Sequence, residues 1–144
     1  MSDEPAARAG DLHVLLRQVH RALVAHQRRH LAQLELTPLQ VEVLQALKGQ
    51  RGLRQAELAR RTGTDRSSMA ELAARLEERD LIRRAPHPTD KRALLLFLTS
   101  KGRRLLQRAA PLLAAAEADL LAALTERQRE RLLDLLRRLV PSEE

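Results

Sequence analysis

No cysteine occurs in the 144 residues, which excludes structural disulfides, thiol-based redox sensing and thiolate-held metal clusters. Tryptophan and tyrosine are missing as well, and Phe97 is the entire aromatic complement. Chains that hold single-stranded nucleic acid stack its bases on aromatic rings, and this one has no such platform. Nor does any apolar run approach the ~20 residues that span a bilayer. The segment from Met1 to Gly10 is polar and acidic, unlike a signal peptide, so a cytoplasmic location is expected. Three enzyme signatures are lacking: there is no HExxH, no nucleophile elbow and no phosphate-cradling glycine loop. A metal-dependent hydrolase would have only histidines to work with, and the expectation is no catalysis, no cofactor and no metal.

What is present is apolar and basic. Apolar residues make up 44%, enough for one domain with a real core. Twenty-six Lys and Arg stand against 19 Asp and Glu, a balance that favours a polyanionic partner. The surplus is local: seven cations against five acids over residues 1 to 53, fourteen against seven over 54 to 108, and five against seven over 109 to 144. With no base-stacking platform, duplex DNA is the better polyanion.

Apolar residues at Leu12, Leu15, Leu16, Val19 and Leu23 predict one face of a helix over about 11 to 34. Thr37-Pro38-Leu39-Gln40 is a capping box with proline in the first turn, and it opens a second helix that Gly49 and Gly52 end. A third helix is predicted over Gln55 to Thr62, poorly capped by Arg54, with Leu53 as a hydrophobic staple to Leu58. Gly63 makes the turn, and Asp65 caps a fourth helix that buries Met69, Leu72, Ala73 and Leu76. A strand around Leu81 to Arg84, a proline-containing loop and a β-compatible run from Ala93 to Leu98 then form a hairpin, although leucine and alanine leave that last run a helical alternative. Thr99 caps a long fifth helix with a kink expected at Pro111, and Thr125 with Gln128 boxes a sixth that Pro141 stops.

Helix, turn, helix and basic hairpin make a winged helix-turn-helix, a device for holding duplex DNA. The fold class is mainly α with a small β-wing (α+β). The winged lobe spans 36 to 98, dimerisation helices span 11 to 34 and 99 to 140, and all of it forms a single domain over 1 to 144. The outer helices carry more leucine than so small a lobe can bury. A second copy of the chain is the favoured cover, because a twofold dimer sets two recognition helices about 34 Å apart, one DNA turn; the alternative is a thicker monomeric core.

The candidate DNA contacts follow from chemistry. Arg92 and Lys91, at the tip Pro88-Thr89-Asp90-Lys91-Arg92, can enter a minor groove about 6 Å wide, or else form a solvated turn. Arg66 in the first turn of the fourth helix can read guanine with both guanidinium nitrogens, while Ser67 and Ser68 can bond phosphate or base, or serve as caps. Glu71 can accept from cytosine, but pairing with Arg75 one turn on is favoured. Arg83 and Arg84 can bind phosphate or form internal ion pairs. Of the histidines on the first helix, His26 and His30 sit one turn apart; two imidazoles alone make a poor metal site. If a ligand pocket lies between the first, second and fifth helices, these two are the candidate lining.

The chain resembles the MarR family of bacterial transcription regulators over roughly Leu12 to Leu139. The residues carrying the resemblance are Leu36-Thr37-Pro38-Leu39-Gln40, Gln55-Ala56-Glu57-Leu58-Ala59, Leu76 to Arg84, Asp90-Lys91-Arg92 and Leu98-Thr99-Ser100-Lys101-Gly102. It departs from the family pattern at Asp80 (usually glycine), Glu71 (commonly a basic or polar contact) and His87 (typically a wing aspartate). The resemblance implies a winged-helix dimer that represses transcription from a pseudo-palindromic operator and often releases DNA on binding a small aromatic or phenolic effector. It also implies that Asp90 orients Arg92 into the minor groove. The competing class is a non-enzymatic helical protein-interaction module, which would bind DNA weakly and without sequence preference.

Overall fold

The structure is a computed structural model that describes residues 8 to 142; the polar stretch Met1 to Ala7 and the last two glutamates lie outside it. Chain order is α1 (Asp11–Leu31) with a 3-10 turn (Ala32–Leu34), α2 (Pro38–Leu47), β1 (Leu53–Arg54), α3 (Gln55–Thr62), α4 (Arg66–Glu78), β2 (Ile82–Pro86), β3 (Leu94–Leu98), α5 (Ser100–Leu120) and α6 (Glu126–Leu139). Local chemistry explains most boundaries. Both capping boxes form, Thr37 with Gln40 and Thr125 with Gln128, and Asp65 accepts from the Ser68 amide at 2.8 Å. Residues 94 to 98 are strand, so cross-strand pairing prevails over the helical preference of leucine. The sheet is antiparallel in the order β1-β3-β2, with Leu53 opposite Leu96 and Ile82 opposite Leu98. Leu53 is thus a strand residue as well as a packing one.

The core centres on the winged lobe, where Val43, Leu44, Leu58, Met69, Ala73, Leu76 and Leu96 are fully buried, and it takes in Leu31 at the end of α1 and Leu105, Leu106 and Ala109 of α5. The C-terminus of α4 closes in a Schellman arrangement: Leu81 N–H donates to the Leu76 carbonyl and Asp80 N–H to that of Glu77. Asp80 takes the left-handed conformation this closure needs, φ 59. The start of α5 is latched to the same corner, with the Thr99 hydroxyl donating to the Asp80 carbonyl at 2.6 Å and Lys101 Nζ to that of Arg79 at 2.9 Å. Gly102 faces the Leu81 carbonyl so closely that a Cβ there would collide with the backbone. Gly102→Ala is expected to lower stability by about 2 kcal/mol or more, read as a shifted urea midpoint at unchanged slope; an unshifted midpoint would mean the corner gives way.

α1 runs along α5, which stays helical through Pro111. α5 buries Leu105, Leu106, Ala109 and Ala116, whereas α1 and α6 bury little of what they carry. Leu12, Leu15, Leu16 and Val19 on α1 are exposed, as are Leu133, Leu135, Leu139 and Val140 at the other end, and α6 has no buried residue. Among the described residues, no helix is long and apolar enough to cross a membrane.

Candidate nucleic-acid interface

The first turn of α4 and the wing tip share one face of the lobe. Between them lies an open groove of about 320 Å³, lined by Arg66 of α4, Arg54, Gln55 and Ala56 around the start of α3, and Asp90 and Arg92 of the wing. Arg66, Ser67 and Ser68 are all exposed. Ser68 is committed to the helix start, its hydroxyl donating to Asp65 Oδ2 at 2.7 Å, and these bonds hold the Asp65 carboxyl below its ordinary range. Arg66 and Ser67 are the first-turn side chains left to point outward. Gln55 Oε1, beside the groove, is a buried polar atom with no partner among the described residues.

Glu71 and Arg75 do not pair, contrary to the favoured expectation; both are exposed and border a shallow hollow with Thr37 and Gln40. An exposed i, i+4 pair gains only a few tenths of a kcal/mol, too little to fix two long side chains. The two strand arginines divide. Arg84 takes the internal alternative: its Nε and Nη2 reach Glu77 Oε1 at 3.2 and 3.0 Å while its amide donates to Oε2, which pulls the Glu77 carboxyl down. Half-buried and paired, Arg84 leaves the phosphate-facing set. Arg83 stays exposed, its guanidinium 4.5 Å from the centre of the Phe97 ring. An edge of that ring occupies the space a Cβ at Gly52 would need, and Gly52 has φ 93. The single aromatic residue is therefore a seat for a strand cation.

At the wing, Asp90 Oδ1 accepts from the Arg92 amide at 3.1 Å, and Oδ2 accepts from Arg54 Nη1, also at 3.1 Å. Asp90 orients Arg92 through the backbone, leaving the Arg92 and Lys91 side chains exposed. The Arg92 amide first, then Arg54, hold the Asp90 carboxyl below its ordinary range. A carboxyl so lowered keeps its bonds at neutral pH and surrenders them only as pH falls through the lowered value. Arg54 is the residue that sequence reasoning missed. Its poor capping chemistry was the available signal: a cation stands there because its partner is 36 residues away. His87 also joins this cluster, through hydrogen bonds to the turn.

The histidine expectation needs correcting. His26 and His30 converge on Asp119 of α5, with His30 Nε2 at 2.7 Å and His26 Nδ1 at 3.9 Å; the His30 bond lowers the Asp119 carboxyl. The cavity between α1, α2 and α5, about 730 Å³, is lined by His20 instead, with Leu23, Gln27 and Arg28 from α1, Glu42 from α2 and Glu117 from α5. From His20, residue 26 lies about 120° round a helix of 3.6 residues per turn, and residues 24 and 27 lie on the cavity side.

Comparison with known proteins adds to this geometry. A family model described as "MarR family" matches residues 34–93. The transcriptional regulator HosA of Escherichia coli O111:H- is 30% identical over 125 residues, 87% of this chain and 91% of its own length. A putative transcriptional regulatory protein for the hcr operon of Thauera aromatica is 34% identical over 91% of this chain and 80% of itself. Among solved structures, BpsR of Bordetella bronchiseptica, whose DNA binding is regulated by 6-hydroxynicotinic acid, superposes with a TM-score of 0.79 at 26% identity, covering 90% of this chain and 98% of that one.

Proposed function

Because the chain belongs to the MarR family of transcription regulators, we propose that it is a homodimeric repressor that grips a pseudo-palindromic operator and carries out no catalysis. Each subunit inserts α4 in the major groove and its wing in the flanking minor groove. Residues 36 to 98 form the reading lobe, and 11 to 34 with 99 to 140 form the dimer arm. The observation that carries this is the shared groove, which puts Arg66 at an exposed helix N-terminus beside Arg92 on a tip tied down through Asp90. Arg66 and Ser67 address the major-groove edge, with Glu71 and Arg75 a turn further along. Arg83 and Lys91 meet phosphate, and Arg92 enters the minor groove. Ser68 supports the helix start.

The cavity between α1, α2 and α5 is the effector site in this proposal. Its size suits a small aromatic or phenolic molecule, with Arg28, His20 and Gln27 as polar partners for an acid or hydroxyl group and Leu23 against the ring. The cavity joins the dimer arm to the reading lobe, so a ligand that fits only one spacing of the two lobes shifts the dimer toward it. A complete reversal of populations needs about 5.5 kcal/mol of differential binding.

Selection of bound sequences from a pool of random duplexes, using the full chain, tests the proposal. The expected result is a palindrome whose half-sites repeat at about one helical turn, 10 to 10.5 base pairs. A pool that emerges without enrichment would return the chain to the class of protein-interaction modules.

A further inference from the structure

His87 stands two residues before Thr89 and three before Asp90, and its ring closes the turn between them. Nδ1 accepts from the Asp90 amide at 3.0 Å and from the Thr89 amide at 3.2 Å, and the Thr89 hydroxyl lies 3.3 Å away. The backbone of His87 is fixed as well, its amide donating to the Ala93 carbonyl at 3.0 Å, while the Ala93 amide donates to that of Asp90. An imidazole nitrogen that accepts two amide protons carries no proton of its own, so the ring that closes this turn is neutral and bears its hydrogen on Nε2. Arg54 Nη2 lies 3.5 Å from Nε2; two donors face each other there, and no hydrogen bond links them.

We propose that His87 is a positioning residue of the wing, whose neutral ring caps the turn that holds Asp90 and Arg92 and so makes duplex binding sensitive to its protonation. A proton on Nδ1 points at two amide hydrogens and breaks both bonds. It also sets a second cation against Arg54. The charged residues shown beside the ring are Arg54 from β1 and Asp90 within the turn, with Lys91 and Arg92 following in the chain; among the described residues the acid next to the ring is Asp90, and it already accepts from Arg54 and from the Arg92 amide. Once the cap is lost, Asp90 no longer presents Oδ1 to the Arg92 amide in a fixed direction. The consequence for DNA rests on the wing being a DNA contact, as proposed above. The protonation state of the ring does not.

The sign of the pH dependence separates this role from that of a solvated histidine. Near a phosphate backbone, an uncoupled imidazole gains charge in acid and tightens binding. The cap loosens it. Binding of the selected operator duplex is measured by fluorescence anisotropy at about pH 8 and about pH 5.5, the range over which imidazoles titrate, for the parent chain, His87→Asn and His87→Ala. Asparagine keeps an acceptor for the amide two residues on but does not titrate.

The parent is expected to lose about tenfold in affinity on acidification, His87→Asn to match it at the higher pH with little change on acidification, and His87→Ala to be about tenfold weaker at both. Long-range nitrogen-15 correlation spectra of the free protein at about pH 8 should show His87 deprotonated on Nδ1. A proton on Nδ1 there, binding that tightens in acid, or equal pH slopes for parent and His87→Asn would each overturn the proposal. Arg92→Ala is the control for the underlying DNA contact: if it binds as the parent does, the wing is not a DNA contact, and the spectrum still decides whether the ring is the cap.

Discussion

Glutamate at both Leu12 and Leu16 should yield a folded monomer that binds the selected operator at least ~100-fold more weakly than the parent chain. The two leucines are 62% and 46% exposed, so their replacement takes nothing from the core of the lobe, and the folded chain should keep its helical circular dichroism. What they belong to is an apolar stripe on α1 that continues through Leu15 and Val19, while α6, with no buried residue of its own, ends on exposed Leu139 followed by exposed Val140. Exposed apolar surface on this scale marks an association site, and in a twofold dimer each glutamate is buried against its partner without a counter-charge. Joining two reading lobes turns the second half-site contact into an intramolecular event at millimolar effective concentration, and that gain vanishes in a monomer. Sedimentation equilibrium gives the mass and anisotropy the affinity. A variant that stays dimeric, or a parent chain that is already monomeric, contradicts this assembly.

Arg92→Ala and Arg66→Ala should each weaken operator binding by about 1 to 3 kcal/mol, roughly fivefold to 150-fold, and each should blur a different part of the site. Arg92→Ala relaxes the preference at A·T positions outside the major-groove contacts, because a narrow minor groove attracts an inserted guanidinium. Arg66→Ala relaxes one major-groove position, where a guanine loses its two-nitrogen partner. Both side chains are exposed and neither has a hydrogen-bond or ion-pair partner among the described residues, so the folded chain should melt as before. Arg84→Ala supplies the contrast. It strips Glu77 of its partner on the back of α4 and should lower stability while leaving base preference alone. If Arg84→Ala altered the consensus and Arg92→Ala did not, the division between these arginines would be wrong.

What the sequence made legible is local. The Thr37–Gln40 and Thr125–Gln128 boxes, the Asp65 cap and the bounds of α3 are written in residues three or four apart, and each forms as expected. The wing followed from Pro86 and Pro88 upstream, the Thr99 cap downstream and a β-compatible run between them. Partners on different elements leave no such trace. Arg54 meets Asp90 across 36 residues and His30 meets Asp119 across 89; helical periodicity speaks only of the element it runs along. Arg84 could be named as either a phosphate contact or half of an ion pair, and the choice waited on the chain reversal that brings Glu77 beside it. The cavity histidine was misassigned because His20, His26 and His30 share one helix, and the sequence does not say which of its sides α2 covers. The two-residue strand β1 escaped for a related reason, since its partner Leu96 is distant in sequence.

The most direct test of two subunits gripping one duplex is a hydroxyl-radical footprint on the selected operator, with the mass of the complex measured in parallel. The expected pattern is twofold symmetric, with protected backbone bordering two major-groove segments about one helical turn apart, minor-groove protection outside each that disappears with Arg92→Ala, and two chains per duplex. A single unbroken patch, one chain per duplex, or protection indifferent to Arg92 would contradict it.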